Sequence, residues 1–310
     1  MLIAARNAMM VKPDAPVEEF WGLTFTANEP NVTVNMSMTG SPDAVSLEYC
    51  LGSSDYTDDS NWTAFDADGG TTPITLANTD DKVYFRAGSS GNTGIAKDSS
   101  NYRRFTLSGS VGASGNIMSL LTKNESDWQT VQMSAFCYYR MFRNNPSLTT
   151  APSLPATTLT PACYQYMFYG CTSLTTAPEL PATNLAINCY YRMFRGCTSL
   201  TIAPVLPATT LVNECYYEMF RGCTSLTIAP VLPATTLVGQ CYLGIFFGCT
   251  LLSSVEVAFT TWGSTNATNV WLANVASRGT LICPSALGTN STIKRGGSNC
   301  PSGWTVINND

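Results

Sequence analysis

Apolar and polar residues alternate in seven short runs over residues 21–112: LTFTA (23–27), VTVNMSM (32–38), VSLEYCL (45–51), WTAF (62–65), PITL (73–76), KVYFRAG (82–88) and RRFTLSG (103–109). Period-two alternation of β-branched and aromatic residues, broken by SPD, SSD, DGG and SGN, predicts strands joined by turns. Seven such runs predict a small β-sandwich-like module. Beyond residue 136 the pattern changes period. Cys137, Cys163, Cys189, Cys215 and Cys241 recur every 26 residues, as do Phe142, Phe168, Phe194, Phe220 and Phe246. Leu148, Leu174, Leu200, Leu226 and Leu252 keep the same step. So do Cys171, Cys197, Cys223 and Cys249, with Asn145 at the equivalent place in the first unit. Met193–Val212 and Met219–Val238 are identical.

Each unit divides into three pieces. CYYRMF sets Cys and Met four residues apart, so one helical turn would direct both inward. GCTSL opens on a Gly that tolerates the left-handed conformation and ends that turn. LTIAPVLP is extended, because β-branched residues favour a strand and each Pro keeps its predecessor out of the helical region. Pro also lacks a donor, which limits strand pairing. About five apolar anchors per unit, each contributing about 1.5–3 kcal/mol when buried, do not offset the ordering of a whole unit at about 1–2 kcal/mol per residue. A lone unit therefore does not hold, and neighbours must share a core, as in a solenoid. The expected fold is mainly β with short helical turns. Its parts are an N-terminal arm (1–20), the sandwich-like module (21–112), an N-terminal cap (113–136), five repeats (137–252) and a C-terminal cap (253–310). LIAARNAMMV in the arm reads either as a disordered leader or as a segment docking into a larger assembly.

Composition narrows the chemistry. Charged residues make up only 12% of the chain and the net charge is −5, which argues against a nucleic-acid footprint of clustered Lys and Arg. There is no histidine, so Ser-His-Asp, Cys-His and His-bound metal sites are excluded. No catalytic residue, metal ligand or cofactor is expected. The N-terminus lacks the basic start and unbroken apolar run of a secretory signal, and no run of about 18 apolar residues suggests a membrane span. Cysteines within a unit are spaced C-x7-C, not C-x2-C, and are expected as small buried hydrophobes. Cys283 and Cys300 bracket a Gly/Ser/Asn-rich loop and form a candidate disulfide. Asp66-Ala67-Asp68-Gly69 matches the opening of a calcium loop, but Ala77 stands where the bidentate Glu would be, so a solvated turn is expected. One Tyr per unit is expected in the core. The second, with nearby arginines, gives a candidate interaction face: Tyr139, Arg140, Tyr191, Arg192, Arg195, Tyr217 and Arg221. Snorkelling of Arg over a simple packing ridge is the alternative.

The unit MFRGCTSLTIAPVLPATTL resembles the BspA-like class of leucine-rich repeats over five consecutive units, from Cys137 to about Leu252. The double-Pro segment APVLP departs from the usual unit. The tail VWLANVASRGTLICPSALGTNSTIKRGGSNCPSGWTV resembles the segment that closes such arrays in gut Bacteroides and their phages, and the β-rich runs resemble a module that precedes them there. The resemblance implies binding or adhesion without catalysis, on a cell surface or a virion. The leading expectation is a phage virion protein, a head or tail fibre or a decoration module. Its arm and β module would attach to other virion proteins, and its repeats would meet a host surface or glycan. A bacterial surface adhesin is the alternative, a carbohydrate-active enzyme the third reading, and homo-oligomerisation is compatible with each.

Overall fold

The alternating runs of the N-terminal region form strands at the expected places. The structure is a computed structural model that describes residues 20–70, 72–263, 266–296 and 299–310. The expected arm lies outside the described residues except Phe20, whose ring packs 5.2–5.5 Å from those of Tyr56, Trp62 and Tyr84. The chain is mainly β, and its only helical elements among the described residues are four 3-10 turns of three or four residues. The strands are β1 (Thr24–Ala27), β2 (Val32–Thr39), β3 (Leu47–Leu51), β4 (Thr63–Phe65), β5 (Ile74–Leu76), β6 (Lys82–Ala87), β7 (Tyr102–Ser108), β8 (Val111–Ser114), β9 (Ser254–Glu256), β10 (Gly279–Cys283) and β11 (Trp304–Asn308). The first eight form two antiparallel sheets, ordered β4-β3-β6-β1-β8 and β5-β2-β7. Period-two alternation directs Phe25, Phe85 and Phe105 into one core, with ring centroids 4.8–5.7 Å apart.

The boundary expected at residue 112 falls inside β8 and is not a break. Residues on both sides of it pack against the first repeat unit. Phe105 N–H of β7 donates to Met141 O at 2.8 Å, Ile95 N–H to Cys137 O at 2.8 Å, and Val111 N–H to Ser147 O at 3.1 Å. Phe105 stacks on Phe142 with centroids 5.7 Å apart. The β module itself thus covers the first unit. Residues 113–136 add to this cover: Ile117 N–H bonds Ser153 O, and the Tyr138 hydroxyl donates to Ile117 O.

The segment expected as one helical turn is instead a flat ribbon of overlapping turns. Tyr139, Met141 and Arg143 donate N–H to the carbonyls three residues earlier, whereas Tyr138, Arg140, Phe142 and Asn144 donate to Cys163, Gln165, Met167 and Tyr169 of the next unit at 2.7–3.0 Å. Every fourth residue has a positive φ: Phe136, Arg140 and Asn144, then Ala162, Tyr166 and Gly170, and so on to Gln240, Gly244 and Gly248. The left-handed residue reverses the winding, so the chain advances without coiling and half of its donors face the neighbouring unit. A non-glycine residue in this conformation costs about 1–2 kcal/mol. Gly170, Gly196, Gly222 and Gly248 fill the third position at φ 72–77°, which accounts for the GCTSL signature. Residues i, i+1, i+4 and i+5 of the ribbon point inward. Cys137, Tyr138, Met141 and Phe142 are all fully buried, and the inner rings stack unit on unit, as in Phe168–Phe194 at 5.5 Å and 1°. The LTIAPVLP segments pair only through isolated parallel bridges such as Thr176–Ile202 and Ile228–Ser254, because the prolines remove the donors a continuous ladder needs.

The 26-residue step continues past the last recognisable repeat. Tyr242, Gly244, Phe246 and Gly248 donate N–H to Ala267, Asn269, Trp271 and Ala273, and Asn266, Val270 and Asn274 carry the positive φ. β9, β10 and β11 then pair in parallel, Ser254 opposite Thr280 and Thr280 opposite Thr305. Residues 253–310 therefore prolong the stack before closing it. Cys283 and Cys300 are free buried thiols, and the candidate bridge is not formed. The Cys283 thiol turns towards Gly288 O, while the Cys300 sulfur accepts from Arg295 at 3.2 Å.

Candidate functional site: an arginine–tyrosine ridge

The ribbon geometry dictates which side chains face outward. Counting from Cys137, the outward positions are the third, fourth and seventh residues of each unit. Stacking makes each a column: Tyr139-Gln165-Tyr191-Tyr217, Arg140-Tyr166-Arg192-Glu218 and Arg143-Tyr169-Arg195-Arg221. The repeats are nearly identical inside; they differ along these columns and in the segments leading to each Cys, such as 160–162, 186–188, 212–214 and 238–240.

The middle column carries the positive φ at every step, 47–59° from Arg140 to Gly244, which throws its side chains across the ridge. Arg192 reaches both neighbours: Nε donates to Glu218 Oε2 at 2.7 Å and Nη1 to the Tyr166 hydroxyl at 3.1 Å. Arg195 donates to Glu218 Oε2 and Arg221 to Glu218 Oε1, both at 2.6 Å. Glu218 is 5% exposed, and its three partners are 24%, 27% and 30% exposed. A carboxylate this buried is tolerated because three charge-assisted hydrogen bonds replace its water.

Aromatic faces hold the guanidinium groups flat. Arg140 lies over Tyr102, Tyr139 and Tyr166 at 4.7–5.3 Å, Arg143 over Tyr169 at 5.1 Å, and Arg221 over Phe247 at 4.0 Å. Tyr191 and Tyr217 stack at 4.4 Å and 7°, with Arg192 above both rings. Cation–π contacts of this kind contribute about 0.5–2 kcal/mol each, more where water is excluded.

Six of the seven expected face residues, Arg140, Tyr191, Arg192, Arg195, Tyr217 and Arg221, lie on this half-exposed ridge. Tyr139 does not: it is 2% exposed and covered by Tyr102, Phe136 and Tyr166. The β module reaches over the first unit at that point, which the repeat alone does not reveal. Reading the sequence by residue type also passed over Tyr166, Tyr169 and Glu218. Following the 26-residue step from Arg140 and Arg143 finds all three.

Asp68 of the DADG turn is engaged by Arg103, 2.5 Å away, and Asp66 accepts the Asp68 N–H. Among the described residues no cluster of three metal-ligating side chains occurs, and no helix is long and apolar enough to cross a membrane. No protein-family model, curated protein or solved structure matches the chain.

Proposed function

We propose that the protein is a non-enzymatic binding component of a bacteriophage particle. In this reading a β-sandwich-like module carries a leucine-rich-repeat-type solenoid, the N-terminal region joins it to other virion proteins, and the repeats meet the host surface. The observation that carries the binding role is the ridge. The stacked units are uniform inside, and all five basic residues of the repeats lie in three outward columns. A scaffold that only filled space would have no reason to gather its charge this way. Contact through several equivalent units suits a repetitive partner. The particle as the home of the chain rests on the resemblance of the repeats and their flanks to phage-encoded arrays.

Mass spectrometry of density-purified particles, run beside surface-shaved intact cells from the same culture, tests the location. Recovery in particles at a fixed copy number is the expected result. Recovery only from shaved cells would move the protein to a bacterial surface and make it an adhesin.

A further inference from the structure

The ridge extends onto the β module. Arg104 of β7 donates Nη1 to Arg143 O at 3.2 Å, so six guanidinium groups run from Arg104 through Arg140, Arg143, Arg192 and Arg195 to Arg221. One carboxylate, Glu218, lies among them. Six cations less one anion leave the ridge at +5 on a chain of net charge −5.

The two ends of the ridge are neutralised differently. Around Glu218 three arginines share a counter-charge supplied by the fold. At the other end Arg104, Arg140 and Arg143 form no ion pair among the described residues. Arg104 meets the Ser37 hydroxyl, Arg140 the Tyr102 hydroxyl and three rings, and Arg143 the Tyr169 ring. Arg140 Nε and Arg143 Nε are buried with no hydrogen-bond partner. The array's other carboxylates, Glu179 and Glu214, make no ion pair with the ridge. Among the described residues nothing supplies a counter-charge to these three arginines, which leaves this end of the ridge open to an external anion.

Resting on the binding role proposed above, we infer that the ridge binds an acidic polysaccharide laid along the stack, with the Arg104–Arg140–Arg143 end as its anchor. Linear charge density separates this ligand from nucleic acid. Successive units are about 4.8 Å apart at one strand spacing each, so the ridge offers about one net positive charge per unit. A polysaccharide carrying a carboxylate or sulfate on each sugar, or on alternate sugars, has a comparable density, whereas duplex DNA carries a charge every ~1.7 Å, far denser than the ridge can match. Single-stranded nucleic acid needs free aromatic faces for its bases. Here the Tyr191 and Tyr217 rings are stacked on each other and covered by Arg192.

Titration of the full chain with hyaluronate and with polygalacturonate, against dextran and a single-stranded DNA oligomer of matched charge, tests this. Both acidic polysaccharides bind at physiological salt, more weakly as salt rises, and dextran does not. The double variant Arg140→Gln/Arg143→Gln weakens binding by about tenfold or more, about 1.4 kcal/mol, while Arg278→Gln, away from the ridge, leaves it unchanged. Glu218→Gln tightens binding several-fold although it lowers the thermal midpoint, a combination that unfolding cannot mimic. Absence of polysaccharide binding by folded protein, unchanged affinity in the double variant, or tighter binding of the DNA overturns the assignment. These outcomes are independent of where mass spectrometry finds the protein, so the ligand and the location fail separately.

Discussion

Cys171, Cys197, Cys223 and Cys249 each donate Sγ–H to the carbonyl of a phenylalanine 29 residues earlier, at 3.0–3.1 Å. Serine would offer a stronger donor but would lose apolar contact, so a thiol suits a position that is fully buried and needs one weak bond. Burial penalises the thiolate and pushes Cys163, Cys171 and Cys249 up to about 12, from an ordinary 9.0. Burial likewise raises the inner tyrosines Tyr138, Tyr164, Tyr190, Tyr216 and Tyr242 well above their ordinary value. Each acid is raised in the folded state, so its full contribution is present below its unfolded value, 9.0 for the thiols and 10.0 for the phenols, and is lost as pH climbs above it. The thermal midpoint is therefore expected to hold level through neutrality and to fall steeply above pH 9. At neutral pH a thiol-specific reagent should leave the repeat cysteines untouched until denaturant is added, because the thiolate is the reactive form. Rapid labelling of the folded protein, or a midpoint flat to strongly alkaline pH, would contradict the buried columns.

At the scale of one element, the ribbon explains why a whole unit can be duplicated or lost. Removing residues 223–248 joins Gly222 to Cys249, returns every column to register and keeps Arg192, Arg195, Glu218 and Arg221 together. That deletion is expected to unfold cooperatively at a lower midpoint, with the near-ultraviolet signature of stacked rings retained, because nearest-neighbour terms dominate a stack. Removing half a unit, 236–248, turns inward residues outward and should give unfolded or aggregated protein; circular dichroism and gel filtration distinguish the two. The same geometry explains what the sequence disclosed. The seven strand runs and the Gly column were legible because alternation and a left-handed Gly leave local marks. The ribbon was not, since Arg140, Tyr166, Arg192 and Glu218 occupy left-handed positions that no propensity would assign to them. β8 was missed because VGAS has neither alternation nor bulk. The unit at 266–275 was hidden because it kept only sizes and turns: Ala267 stands for Cys, Leu272 for Phe and Asn274 for Gly. Half of the ridge was readable as residue types, but its carboxylate and its extension to Arg104 depend on three-dimensional stacking.

Across the whole molecule, one buried cluster runs without interruption from Leu23 of the β module to Val306 of β11. The seam between module and repeats is fastened by Asn145, the exception in the second cysteine column. Its amide donates to Phe105 O at 2.8 Å and Phe142 O at 3.1 Å, and its Oδ1 accepts the Leu107 N–H at 3.0 Å. In later units the neighbour is another ribbon, whose donors are met along the stack, so a thiol that only donates suffices. Next to the first unit the neighbour is β7, which presents both a carbonyl and an N–H at this place. The Asn145 amide answers both and has a second N–H left for Phe142 O, three bonds that one hydroxyl or thiol cannot make. Substitution Asn145→Cys, which would make the first unit match the others, keeps a donor but strands the Leu107 N–H, at a cost of about 1–3 kcal/mol. Calorimetry of the unaltered chain should then show a single transition spanning module and repeats. Asn145→Cys should lower its midpoint and speed hydrogen exchange at the Leu107 amide, with exchange in the distant 26-residue units far less affected. Two separate transitions in the unaltered chain would mean that the module and the stack fold as independent bodies, and the repeat that breaks its own pattern would have no structural reason to do so.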